Sequence, residues 1–240
     1  MKHQKLLLSV VSGLFFGLSW PYITSITPLI LVAFVPLLMI EDSLYQEGKR
    51  SFWQAFKFSY PSFFIFNVIT TYWIYNVQES LGTKLFSAGS AITLNAAFMA
   101  TAFALFHVTR SRVGSREGYI SFVLYWLAWE YLHLNWELSW PWLTLGNVFS
   151  IRTDWIQWYE FTGILGGSLF IIIINLLFYF AYKAYINEQR KPMYFRLSWI
   201  AILLLASYII AKTPITTKVS ESDPIEIVLV QPNIDPYNEK

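Results

Sequence analysis

Residues 164–185 read ILGGSLFIIIINLLFYFAYKAY, with Ile171 to Ile174 at the centre and Lys183 the only charge. A helix needs about 20 mostly apolar residues to cross the ~30 Å hydrocarbon core of a bilayer, and this run meets that length. Working outward, six further apolar stretches predict spans: Leu6 to Trp20, Ile23 to Ile40, Phe52 to Tyr75, Leu85 to Val108, Tyr119 to Leu134 and Leu197 to Ala211. The first two are short and punctuated by Pro21, Pro28 and Pro36, so they read as a helical hairpin that is tilted or incomplete. Pro61 predicts a kink in the third, tolerable where neighbours re-satisfy the freed carbonyl. Ala96, Ala97, Ala100, Ala102 and Ala104 make the fourth suited to close packing.

Composition agrees. Of 240 residues, 55% are hydrophobic, 19% aromatic and only 13% charged, and mean hydropathy is +0.44. So few charges could not cover this much apolar surface in water, and intrinsic disorder is excluded for the same reason. The absence of cysteine removes disulfide scaffolds, thiol nucleophiles and Cys-based metal sites. A net charge of +2 gives no footprint for nucleic acid. An apolar run after Lys2 and Lys5 also resembles a signal peptide, but Gly17-Leu18-Ser19-Trp20-Pro21 is a poor cleavage site and further spans follow. The fold class expected is an all-α polytopic membrane bundle of about seven transmembrane helices.

Lysine and arginine set its orientation. With a cytoplasmic N-terminus, seven alternating spans place twelve of them inside: Lys2, Lys5, Lys49, Arg50, Lys57, Arg110, Arg112, Arg116, Lys183, Arg190, Lys191 and Arg196. Lys84, Arg152, Lys212, Lys218 and Lys240 fall outside. The domain organisation expected is a transmembrane domain over 1–212, a polar linker over 213–224, and the opening of a soluble domain over 225–240. In that last part Ile225-Glu226-Ile227-Val228-Leu229-Val230 reads as a β-strand. One strand cannot bury itself, so the chain is expected to open a soluble α/β domain without building it.

The outer segment from Trp126 to Gly167 holds seven of eleven tryptophans. An aromatic belt at the membrane boundary accounts for most of them. The element Ser139-Trp140-Pro141-Trp142 also forms a stiff apolar ledge suited to gripping an acyl chain, and both readings stay open. Glu130 near the end of the fifth span is a candidate site residue or an interface carboxylate. His133 shares its helix face, but the pair lacks further ligands and no metal site is assigned. Asn67, Asn95 and Asn175 fall within spans and predict interhelical hydrogen bonds. Gly13 and Gly17 form a small-xxx-small packing pair, and His107 reads as an interface residue. Asp154 and Glu160 read as solvated loop acids. No phosphate loop and no nucleophile elbow occurs.

The order of four motifs resembles the N-terminal membrane region of the apolipoprotein N-acyltransferase family. They are Gly17-Leu18-Ser19-Trp20-Pro21; Trp129-Glu130 with Trp140-Pro141-Trp142-Leu143-Thr144-Leu145-Gly146-Asn147; QWYEFTGILGGS over 157–168 with Asn175; and Val228-Leu229-Val230-Gln231-Pro232-Asn233-Ile234 with Lys240. The last resembles the opening of the family's nitrilase-like domain.

The resemblance implies acyl transfer from a phospholipid donor to the α-amino group of diacylglyceryl-cysteine on an apolipoprotein acceptor. The reaction passes through a thioester and needs no cofactor, in a bacterial inner membrane with the C-terminal tail periplasmic. It implies a Glu-Lys-Cys triad in the nitrilase-like domain, so no residue here is assigned as catalytic, Glu226, Glu239 and Lys240 included. Glu130, Trp140, Pro141 and Trp142 would line or support the lipid entrance. Gly146, Gly163, Gly166 and Gly167 would shape the loop beneath the active site. The family often has Phe where this chain has Trp140, which leaves the ledge apolar. The competing reading is a non-enzymatic transporter, channel or scaffold module, which predicts polar residues lining several spans and interrupted helices in matching halves. No internal repeat is visible.

Overall fold

The structure, a computed structural model, describes residues 2–24, 26–213 and 226–231. Seven α-helices follow in order: α1 (Lys2–Ser19), α2 (Val35–Gln46), α3 (Phe52–Thr71), α4 (Leu81–Val113), α5 (Ser115–Asn135), α6 (Tyr159–Ile186) and α7 (Arg190–Lys212). A 3-10 turn over Thr27–Val32 precedes α2, and three more (Pro141–Leu143, Leu145–Phe149, Thr153–Trp155) build the α5–α6 connection. Prolines sit where a missing N–H matters least. Pro28 and Pro36 stand in the first turns of the Thr27 turn and of α2, whereas Pro61 lies inside α3. The Ser80 side chain caps α4 by accepting the Thr83 N–H.

Gly114 alone separates α4 from α5, and its φ of +135° is one that side chains rarely adopt. The two helices then cross closely: a Cβ on Gly118 would stand 2.4 Å from Arg110 Cβ. Gly13 and Gly17 behave as the packing pair expected. A Cβ on either would stand 2.6 Å from α3, at the Ser62 carbonyl or the Ile69 side chain.

Among the described residues four segments are long and apolar enough to cross a bilayer: Thr27–Gln46, Leu81–Val113, Tyr159–Ile186 and Arg190–Lys212. The second span therefore runs deeper into the chain than Ile40, as a 3-10 turn continued by α2. Helices α1, α3 and α5 fall short by that measure. They carry Lys2 and Lys5, Lys57, or Arg116, Glu117 and Glu130, and are rich in Trp, Tyr, Ser or Asn.

Successive helices run antiparallel, so their ends sort into two groups. One end gathers Lys5 against Glu47 (2.5 Å), Arg110 against Asp42 (2.6 Å) and Lys183 against Asp42 (2.9 Å). The other gathers Trp20, Trp73, Trp140 and Trp142, with Lys212 against Asp154 at 3.3 Å. Between them lies an aromatic core. Phe34 meets Phe16 and Trp126 edge-on at 4.8 Å each, and Phe63, Phe66 and Phe122 surround them. Asn175 fastens α6 to the Thr27 turn: Phe34 N–H donates to its Oδ1 (2.8 Å) and its amide donates to the Ile30 carbonyl (2.8 Å). Asn95 likewise reaches His133 across α4 and α5 (2.7 Å), whereas the Asn67 amide turns back to its own helix at Phe63 and reaches α4 only at Met99 Sδ (3.6 Å).

Two expectations are corrected. His107 is no interface residue: it is fully buried, its Nε2 donates to the Lys49 carbonyl (2.6 Å), and its Nδ1 lies 2.9 Å from Glu41. Residues 226–231 form no strand, and Ile227, Val228, Leu229 and Val230 are exposed. The described residues include no second strand to satisfy their backbone groups, and a lone strand has no stability. Ile225, residues 214–224 and residues 232–240 lie outside the described residues.

Candidate functional site

A cleft of about 470 Å³ opens at the tryptophan-bearing end. Trp20, Pro21 and Tyr22 after α1 form one side, Thr70, Tyr72 and Trp73 at the end of α3 a second, and Pro141, Trp142, Leu143 and Asn147 the third. Tyr22 stands 86% exposed at the rim on a backbone with φ of +69°. A bulky residue with positive φ is a genuine outlier, held by its surroundings.

The ledge is organised by Trp73, which the sequence analysis did not single out. Its ring lies parallel to Trp140 (6.3 Å, 8°) and edge-on to Trp142 (6.0 Å, 86°). Pro141 fixes the backbone between the latter two, so three indoles form a rigid apolar corner. Pro141 and Trp142 line the cleft, while Trp140 backs the corner.

Glu130 does not line the cleft. It lies behind the loop, 1% exposed, and its Oε1 accepts the Trp126 indole N–H (3.0 Å) and the Leu145 backbone N–H (2.8 Å). Among the described residues its Oε2 has no partner within hydrogen-bond geometry. The next residue continues the anchorage. Gly146 N–H donates to Ser168 Oγ (3.0 Å), and the Tyr159 hydroxyl donates to the Gly146 carbonyl (3.1 Å). The Asn147 amide closes the loop on the Pro141 carbonyl (2.8 Å).

Glu130 and His133 share a helix face but not a role. Trp136 Nε1 donates to His133 Nδ1 (2.9 Å), which fixes the tautomer and leaves Nε2 to donate to Asn95 Oδ1. The Trp140 N–H caps the same stretch by donating to the His133 carbonyl (3.1 Å).

Of the glycines, only Gly146 lies in the loop, where a Cβ would stand 2.3 Å from the Ile164 carbonyl oxygen. Gly163, Gly166 and Gly167 lie in α6. Gly163, at φ +62° and ψ −173°, interrupts the helix. A Cβ on Gly166 would run into Thr162, and one on Gly167 would run into the Tyr159 hydroxyl. Gly167 thus makes the room through which Tyr159 reaches Gly146. Of the two loop acids, Asp154 pairs with Lys212 and Glu160 is exposed in the first turn of α6. The contribution of Trp73 had no local signal, because its neighbours in space come from residues 140–142.

The cleft can hold an apolar chain against indole faces. A family model described as the apolipoprotein N-acyltransferase N-terminal domain matches residues 12–177. The apolipoprotein N-acyltransferase of Chlorobaculum tepidum is 27% identical over 238 residues, covering 96% of this chain and 42% of the relative. That of Geobacter metallireducens is 27% identical over 234 residues, covering 95% and 43%. Apolipoprotein N-acyltransferase 2 of Treponema denticola is 24% identical over 220 residues, covering 87% and 40%. The chain spans about two fifths of the length of these curated relatives. No solved structure matches it.

Proposed function

We infer the function from one premise: this chain belongs to the apolipoprotein N-acyltransferase family, through that family's N-terminal domain. It is a multi-pass membrane protein by its apolar helices and its relatives. Beyond that premise, we propose that the chain is the membrane portion of an enzyme moving an acyl chain from a phospholipid to the α-amino group of a diacylglyceryl-cysteine. About seven spans sit in a bacterial inner membrane, the first two as a tilted or incomplete hairpin, with the N-terminus cytoplasmic and the tryptophan-bearing end facing the periplasm. The asymmetry of Lys and Arg supports that orientation.

The observation that carries the reading is the cleft itself. An apolar, indole-walled pocket opens at the end of the bundle where α7 leads toward residues 225–240. In this reading those residues begin a nitrilase-like domain, joined through 213–224. The ester of a bilayer phospholipid rises along α3 to the corner of Trp73, Pro141 and Trp142. A thiolate of the catalytic domain attacks the ester carbonyl, and the lysophospholipid leaves with a proton. The acceptor amine then attacks the thioester, releasing the thiol. The chain's own part is to position the acyl chain, with Glu130, Gly146, Ser168 and Tyr159 holding the loop that carries Trp142. Residues 1–240 hold no cysteine to supply that thiolate.

The test is transfer of labelled acyl chain from phospholipid to a diacylglyceryl-cysteine peptide. Membranes carrying the product of the entire reading frame are expected to yield N-acylated peptide. The reading fails if folded protein is present and no labelled peptide forms. Residues 1–240 alone are expected to be inactive, and turnover by them would overturn the absence of the triad.

A further inference from the structure

At the end of the bundle opposite the cleft, a second cavity of about 250 Å³ lies among α4, α5, α6 and α7. Three cations line it, Arg110, Lys183 and Arg196, together with Ser115, Asn187 and Gln189. Among the described residues no carboxylate lines it. The acids that face it come from α2: Asp42 pairs with both Arg110 and Lys183, and Glu41 pairs with Arg110 and His107. Glu117 on α5 and Glu188 beyond α6 lie outside the lining. Two carboxylates therefore offset two of the three lining cations, and one positive charge remains.

That charge belongs to Arg196. Among the described residues no carboxylate lies within 4.0 Å of it, and its guanidinium stands over the Phe180 ring at 5.8 Å. Arg196 is half-buried on α7, between Phe195 and Trp199, which are 65% and 45% exposed. An arginine fork flanked by exposed aromatics at the end of an apolar helix matches the headgroup level of a bilayer. Arg196 and the exposed amides of Asn187 and Gln189 turn N–H donors toward the cavity mouth, which suits a singly charged group with several acceptor oxygens. A phosphodiester has that chemistry, and arginine takes it in bidentate fashion.

We propose that this cavity binds the phosphodiester of an anionic glycerophospholipid in the leaflet opposite the cleft. The acyl chains of that lipid lie along the unpartnered apolar faces of α6 and α7, where Tyr182, Tyr185, Ile202 and Leu205 are exposed. A free phosphate ion offers the same oxygens but gains nothing from those faces. The proposal needs the bilayer but not acyl transfer, because lipid retention is read with no acceptor present.

The experiment is native mass spectrometry of the purified chain in detergent, titrated with phosphatidylglycerol. Besides any lipid held at the cleft, wild type is expected to retain one phosphatidylglycerol that Arg196→Gln binds roughly tenfold more weakly, the size of one charge-assisted contact to phosphate, while Trp142→Ala leaves that lipid in place. Arg196→Lys keeps the charge and is expected within about threefold of wild type. Arg112→Gln removes a cation at the same end but outside the cavity and is expected to bind as wild type does. Equal retention by Arg196→Gln and wild type overturns the proposal, as does an equal loss in Arg112→Gln. Inorganic phosphate displacing the lipid at equal concentration overturns the lipid as ligand.

Discussion

Glu130 and Leu145 are joined by one hydrogen bond of 2.8 Å, from the backbone N–H of the loop to a carboxylate 1% exposed on α5. The same oxygen accepts the Trp126 indole N–H. A buried carboxylate is thus the peg on which the cleft's third wall hangs, without touching the cleft. Its charge is not what the loop needs; an acceptor at that point is.

Glu130→Gln is therefore expected to fold with a loss below about 1 kcal/mol, because the amide oxygen still accepts. Glu130→Ala leaves two buried donors unpaired and is expected to lose about 2–6 kcal/mol, at roughly 1–3 kcal/mol each. Unfolding midpoints in mixed detergent measure both. Equal midpoints for Ala and Gln would remove Glu130 from the anchorage.

Trp142 is 56% exposed and meets Trp73 edge-on. Trp142→Ala removes one face of the cleft with little buried area, so the unfolding midpoint should hardly move. The Michaelis constant for phospholipid in the complete enzyme should rise roughly tenfold, the scale of losing an aromatic anchor. A fall in turnover with an unchanged Michaelis constant would place the residue elsewhere in the reaction.

The helices were legible because each is a long apolar run, and even short runs such as Leu6 to Trp20 became helices. Their boundaries extended past the apolar residues: α4 runs to Val113 and α7 starts at Arg190, since polar residues continue a helix once its core is packed. Trp140, Pro141 and Trp142 were legible as a ledge because Pro141 links them in sequence. Trp73 was not, because stacking across 67 positions leaves no periodic trace. The network of Glu41, Asp42, His107 and Arg110 was not legible for the same reason. Each looks like an isolated polar residue near a span end, and only packing of α2 on α4 turns them into one network.

Two of the four glycines, Gly146 and Gly163, separate crowding from backbone strain. Gly146→Ala sets a Cβ 2.3 Å from a backbone oxygen, which cannot swing aside. A loss of about 1–3 kcal/mol is expected, together with weakened lipid binding as the loop shifts. Gly163→Ala meets open space, and only its backbone at φ +62°, ψ −173° is disfavoured, a region essentially reserved for glycine, so about 1–3 kcal/mol is expected with lipid binding intact. Paired unfolding and lipid-retention measurements distinguish them. The assignment fails if Gly163→Ala, and not Gly146→Ala, impairs retention.

Glu47 lies just beyond α2, where hydrogen bonds from Lys49, then Lys5 and Ser43, hold its carboxyl down from 4.5 to about 2. The folded value lies below the unfolded one, so its contribution is present in full above pH 4.5. It is lost as the pH falls from there toward 2. Wild type should lose thermal stability through that window faster than Glu47→Gln. Parallel acid limbs in the two proteins would show that the Lys5–Glu47–Lys49 cluster does not fasten α1 to the α2–α3 connection.

Arg110 presents the sharper electrostatic case, because it is 3% exposed and bridges Glu41, fully buried, and Asp42. Removing one partner of a buried pair strands the other charge, at about 3–5 kcal/mol. Arg110→Met should therefore be among the most damaging substitutions in the membrane part, and Glu41→Gln should cost less because Asp42 still pairs. Combining Arg110→Met with Glu41→Leu removes the stranded charge as well as its partner, leaving Asp42 to Lys183. The combination should recover part of the loss, so its midpoint should lie above that of Arg110→Met alone. If the two losses simply add, the ion pair is not the source of the coupling, and the stacking of Arg110 between Tyr45 (4.2 Å) and Tyr119 (4.8 Å) is what holds α4 in place.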